Sequence, residues 1–142
     1  MDNRPAGADG WLQGDTHRKF DTMAAHLRGM DMAMVEIGHR YAELYWAGQD
    51  GNWAYAAYQV DKIRTSLELA LVRRPKRSAS AEPFVTGLIP MMQQAVSAQD
   101  AQQFAGAFET MTVGCNTCHA AEDLAHIRIA PPVQRTVITH GP

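Results

Sequence analysis

Apolar residues recur every three or four positions along most of the stretch from Asp21 to His126, and strand-like alternation is nearly absent. That spacing stacks side chains on one face of a helix, so it restricts the chain to an all-α fold whose helices bury a shared seam. The first predicted helix, Asp21 to Ala47, carries Met23, Leu27, Met30, Met34, Ile37, Tyr41 and Leu44 in alternating steps of four and three. Gln49-Asp50-Gly51-Asn52 reads as a turn, with Gly51 as breaker and Asn52 as N-cap. A second helix runs from Trp53 to Arg74 with Ala56, Val60, Ile63, Leu67 and Ala70 on its stripe, and Pro75 stops it. Ser78 to Glu82 is predicted as a loop. A third helix follows, with Pro83 near its first position and Phe84, Leu88, Met91 and Ala95 on one side. Pro90 lies inside that pattern and should kink or split it. Asp100 opens the fourth helix, with Gln103 as capping-box partner.

Short connections between four amphipathic helices predict an antiparallel bundle. The expected organisation is a polar N-terminal segment 1–20, a four-helix domain 21–126 and an extended C-terminal tail 127–142, which Ala130-Pro131-Pro132 enforces. In an antiparallel bundle the end of helix four lies beside the start of helix one, the end of helix two and the start of helix three. Any site at that end is built from those pieces.

The stripe of helix four makes that end informative: Phe104, Phe108, Met111, Cys115, Cys118. Two thiols three positions apart project one turn apart on the same side of a helix. In Cys115-Asn116-Thr117-Cys118-His119 each thiol can add to one vinyl group of a haem, while His119 puts a ring nitrogen on the iron. The motif therefore reads as the attachment site of one covalent haem c, near the end of the last helix. Three other readings stand beside it. A thioredoxin-like redox pair wants a strand before the motif, a zinc site wants further ligands, and two cysteines can simply be buried.

Composition narrows the field a little. Hydrophobic residues at 46% and charged residues at 20% suit a globular domain, and a net charge of −2 offers no basic field for nucleic acid. No apolar run approaches the roughly 18 residues that a membrane span needs. Residues Met1 to Gly14 carry no basic flank followed by an apolar stretch, so no secretory leader is visible. Because c-type haem is attached outside the bacterial cytoplasm, the expectation is a periplasmic or otherwise exported protein whose leader has been removed, with Met1 then not native.

The CxxCH of Cys115, Cys118 and His119, together with the four-helix layout from Asp21 to His126, resembles the cytochrome c-prime type of c-type cytochrome. The stretch Tyr41-Ala42-Glu43-Leu44-Tyr45-Trp46-Ala47-Gly48, followed by Gly51-Asn52-Trp53, is also similar to a group of bacterial c-type cytochromes of poorly defined function. The first resemblance implies a gas-responsive, often five-coordinate haem. The chain departs from that type in having no basic residue four positions after His119 and in extending well beyond it.

The second axial position separates the functions. Met30 and then Met34 are the candidate distal ligands, because both lie on the inward seam of the first helix; otherwise they only fill core space. A methionine ligand implies one-electron transfer with an unidentified redox partner protein. An open or displaceable distal site implies binding of NO or CO. A peroxidase-like enzyme would need a distal His/Arg pair, which is not evident, so no enzymatic activity is expected. His17, His26, His39, His126 and His140 are not placed as ligands. Arg73, Arg74, Lys76 and Arg77 lie at the haem end, where they can meet a propionate or an acidic partner, or simply be solvated. Arg64 is a further candidate for reaching the pocket from the side. Tyr41, Tyr45, Trp46 and Trp53 form either a packed cluster or a dimer surface, and a homodimer through helices one and two is one expected assembly. The tail is expected to fold back, since Ile127, Ile129 and Val133 would otherwise be exposed.

Overall fold

The computed structural model describes residues 2–135 and is helical throughout its body. His140 and the end of the tail lie outside the described residues. Six α-helices occur: α1 (Thr16–His26), α2 (Met30–Gln49), α3 (Trp53–Arg73), α4 (Ser78–Pro83), α5 (Ile89–Ser97) and α6 (Ala101–Ala121). A π-helical turn, Phe84–Leu88, joins α4 to α5 into one rod. Among the described residues the only β pairing is a single bridge, Ala6 with Leu12.

Four rods make the bundle: α2, α3, α4–π–α5 and α6. Each packs on the next around a ring, with α2 on α3 the most extensive edge and α2 on α6 the sparsest. Neighbours alternate in direction. Arg73 Nε at the end of α3 donates to the carbonyl of Arg28, just before α2, at 3.1 Å. Tyr41 of α2 and Thr112 of α6 share a hydroxyl–hydroxyl hydrogen bond of 2.6 Å, and Arg77 reaches Glu122 just beyond α6. The core is the set of inward stripes, including Ile37, Leu44, Val60, Ile63, Ile89, Met92, Phe104 and Met111.

The first predicted helix is two helices. The chain leaves helical geometry at Arg28, whose φ is +60, and Gly29 caps the new helix. A left-handed non-glycine residue costs roughly 1–2 kcal/mol, and here the contact from Arg73 helps to hold it. The Arg74 guanidinium lies over Gly29, where a Cβ would stand 2.6 Å from its Nε and oblige that side chain to shift. Met23 and Leu27 therefore leave the seam. They lie with Phe20 on a helix that buries none of its residues, at 48%, 64% and 65% exposure. The boundary expected at residue 20 also moves, since α1 begins at Thr16.

The second correction concerns the third rod. Ser78 to Glu82 is helical rather than a loop, and Pro83 sits at the end of α4 instead of opening a helix. In the π turn, Ile89 N–H bonds to Phe84 C=O, five residues back, which delays the helical phase by one position. Phe84 and Ala95 are buried as the stripe predicts, joined by Ile89, Met92 and Val96, whereas Leu88 and Met91 are only half-buried. Pro90 falls in the first turn of α5, directly after the π turn. The caps at Asn52 and Asp100 form as expected, accepting from Tyr55 N and Gln103 N.

Candidate functional site

α6 brings Cys115, Cys118 and His119 to one end of the bundle. Gly114 makes the close approach there, since a Cβ at that position would lie 2.0 Å from a methyl of Leu88. Both cysteines are half-buried free thiols. Cys115 packs against the core, as do the half-buried Met30, Met34 and Leu88. Burial pushes its thiol up to about 12, with Cys118 adding to the effect. Burial also raises the Cys118 thiol, helped by the negative charge of Glu122.

Among the described residues no group of three His, Cys, Asp or Glu side chains converges.

The imidazole is oriented by the tail. Beyond α6, Leu124 N–H returns to the carbonyl of His119 at 2.7 Å, and Ile127 N–H bonds to Leu124 C=O at 2.8 Å. The Ile127 carbonyl then meets Nδ1 of His119 at 2.7 Å. A carbonyl can only accept, so Nδ1 carries a proton in this contact, which in the neutral ring leaves the lone pair on Nε2.

A cleft of about 500 Å³ opens at the same end, lined by Ala25, Arg28, Gly29, Met30, Asp31, Arg74 and Arg77. Two of its arginines are in ion pairs, Arg28 with Asp31 and Arg77 with Glu122. Arg74 Nη1 donates to the backbone carbonyl of Arg73 at 2.9 Å. Lys76 is exposed nearby in the sequence, so the rim is predominantly cationic.

Met30 thus lines the cleft, and Met34, one turn further, packs against the core. Arg64 is not among the residues that line the cleft. It sits within α3, paired with Asp61 at 2.5 Å and Glu68 at 3.8 Å, and its buried Nε has no hydrogen-bond partner. His39 and His126 are exposed, and the ring of His26 stacks edge-on against Trp11 with centroids 4.8 Å apart. The aromatic residues of the opposite end pack inward: Trp53 on Phe104, and Tyr41 and Tyr45 on Phe108.

Three features escaped sequence reasoning. The Arg28–Gly29 joint interrupts an unbroken apolar pattern. Glu43 is fully buried, its Oε2 accepting from the Tyr55 hydroxyl at 2.7 Å. Asn116, between the cysteines, holds the tail by its side-chain amide. The signal for the last was the extended Ala130-Pro131-Pro132 segment, whose backbone must find partners outside a helix. No family model matches the chain, and neither a curated protein nor a solved structure matches it.

Proposed function

We propose that this chain is an exported, single-haem c-type cytochrome of the cytochrome c-prime type that serves in one-electron transfer. The observation carrying this reading is the pairing of two same-side thiols with a histidine whose Nδ1 is held by a backbone carbonyl. Cys115 and Cys118 would form the two thioethers, each S–H adding across a vinyl double bond with no net redox change. His119 would bind iron through Nε2. Arg28, Arg74 and Arg77 rim the adjoining cleft and suit the two propionates by charge-assisted hydrogen bonding. The haem supplies an iron that alternates between ferrous and ferric and so carries one electron. Met30 is the first candidate for the distal side and Met34 the second; a thioether ligand favours the ferrous state and raises the potential. Arg64, held by Asp61 and Glu68, is left out of this role.

The test is the optical spectrum of protein produced with haem-attachment machinery, recorded oxidised, reduced, and reduced under carbon monoxide. A low-spin ferric spectrum with a weak far-red sulfur band, unchanged by carbon monoxide, is expected, and Met30→Ala should abolish that band. A reduced spectrum that shifts under carbon monoxide would replace electron transfer by NO or CO binding. Colourless protein would remove the haem assignment.

A further inference from the structure

Asn116 occupies the first variable position between the two cysteines, where a side chain has no role in attachment. Its amide is nevertheless saturated. Nδ2 donates to the carbonyl of Thr112 at 3.1 Å and to that of Ile129 at 2.9 Å, while Oδ1 accepts from Ile129 N–H at 2.8 Å. The pair of bonds to Ile129 mimics one rung of a β-ladder, with a side-chain amide in place of a second strand. The orientation of the amide is fixed by the network, since a flip would set Nδ2 against the Ile129 N–H. Two residues earlier in the tail, the Ile127 carbonyl holds Nδ1 of His119.

The segment between is therefore tied at both ends. Leu124 is anchored to the carbonyl of His119, Ile129 to Asn116, and the carbonyl facing the histidine lies between those anchors. Ile129 also packs against the core, which keeps the second anchor half-buried and away from competing water. Farther along, Trp46 Nε1 donates to the Gln134 carbonyl at 3.0 Å, and Arg135 grips Asp50 through two nitrogens at 2.6 and 2.7 Å. Those contacts lie toward the opposite end of the bundle, so if Asn116 lets go the Ile127 carbonyl is held only from the N-terminal side, through the bonds of Leu124 and Ile127.

We propose that Asn116 is a positioning residue for His119. By fixing the main chain at Ile129 it keeps the Ile127 carbonyl on Nδ1, which selects the Nδ1–H tautomer and presents Nε2 to a metal. The inference rests on the haem reading for its purpose, although the tautomer it sets is a property of the protein chain alone. Hydrogen bonding at Nδ1 makes an imidazole a stronger donor. In the haem-loaded protein Asn116 should therefore stabilise ferric iron and lower the reduction potential.

The experiment uses the full chain with and without haem, as wild type, Asn116→Ala and Asn116→Asp. Thr117→Ala serves as control, because the Thr117 hydroxyl only donates back to Val113 within α6 at 2.9 Å. In the haem-free protein, nitrogen NMR of His119 should show the Nδ1–H tautomer in wild type and control. It should shift toward Nε2–H, the form free imidazole prefers, in Asn116→Ala. Asn116→Asp retains the acceptor for Ile129 N–H and should shift less. Cleavage after the exposed Arg128 should accelerate roughly tenfold in Asn116→Ala, the size expected for losing a partly buried pair of hydrogen bonds. In loaded protein the potential should rise in the same order. A tautomer and potential unchanged in Asn116→Ala while cleavage accelerates would overturn the proposal, leaving Asn116 a tail anchor only. Wild-type protein that shows the tautomer effect but takes up no haem would overturn the cytochrome reading and leave the positioning role intact.

Discussion

The two ends of the bundle are built from similar residues and packed on different terms. At the end where α2 turns into α3, Phe104 lies on the bare backbone of Gly48, where a Cβ would meet its ring at 2.0 Å. Leu44 and Ala47 are fully buried there, and the aromatic rings of α2, α3 and α6 stack on one another. Even the buried Glu43 carboxylate is engaged by Tyr55. At the cysteine end Leu69 and Val72 are exposed on the last turns of α3, and a cleft with a cationic rim opens beside Met30. One end is closed by the chain's own side chains, and the other carries an open cleft rimmed by guanidinium groups.

Substitutions can break or sharpen that contrast. Phe104→Ala should cost about 3–5 kcal/mol in urea unfolding, whereas Met34→Ala in haem-free protein should cost about 2 kcal/mol or less. Equal losses would show that the ends are packed alike. Gly48→Ala should cost about 1–3 kcal/mol through overpacking against Phe104. By contrast, Gly38→Ala, with nothing near its Cβ, should stabilise α2 by about 0.5–1 kcal/mol. Tyr55→Phe removes the donor to a buried carboxylate and should cost about 1–2 kcal/mol, with the helix content unchanged by circular dichroism.

Acid probes the cysteine end. A hydrogen bond from Ser80, reinforced by Arg77, holds the Glu122 carboxyl below its ordinary value of 4.5. A carboxyl lowered in the folded state stabilises the protein at neutral pH, and that contribution disappears as pH falls below about 4.5 and through the folded value. Unfolding midpoints of Glu122→Gln should therefore lie below wild type at pH 7 and approach it as the pH falls below 4.5. A constant gap across that range would mean that the charge of Glu122, held by Ser80 and Arg77, carries no stability. The smallest effect belongs to α1. Phe20→Ser should change the unfolding free energy by less than about 0.5 kcal/mol, because that side chain covers nothing in the bundle.

The bundle was legible because its signal is periodic. The stripes of α3 and α6 carry through from Ala56 to Ala70 and from Phe104 to Met111 as buried residues. The break at Arg28 was not, since the apolar steps from Met23 to Met34 continue across it and only the geometry of Gly29 beneath Arg74 interrupts them. Periodicity placed Phe84 and Ala95 of the third rod correctly in the core, but the i to i+5 bond of the π turn puts Ile89 and Met92 there in place of Leu88 and Met91. At the candidate site the grouping of Cys115, Cys118 and His119 on one helix was readable from the motif. The main-chain atoms that orient His119 were not, because a carbonyl has the same chemistry in every residue. The tail folds back as its apolar content suggested, yet only Ile129 reaches the core, and Val133 remains 93% exposed.

The π turn has a consequence for insertions and deletions. An α-helix advances about 100° per residue, so losing one residue from Phe84–Leu88 would restore ordinary helical phase and swing α5 by that angle. Ile89, Met92 and Val96 would rotate out of the core that α3 and α6 share with them, and Pro90 would be carried around to a new face. The extra residue in this turn therefore acts as a length marker: the third rod tolerates changes in its side chains far better than any change in its count.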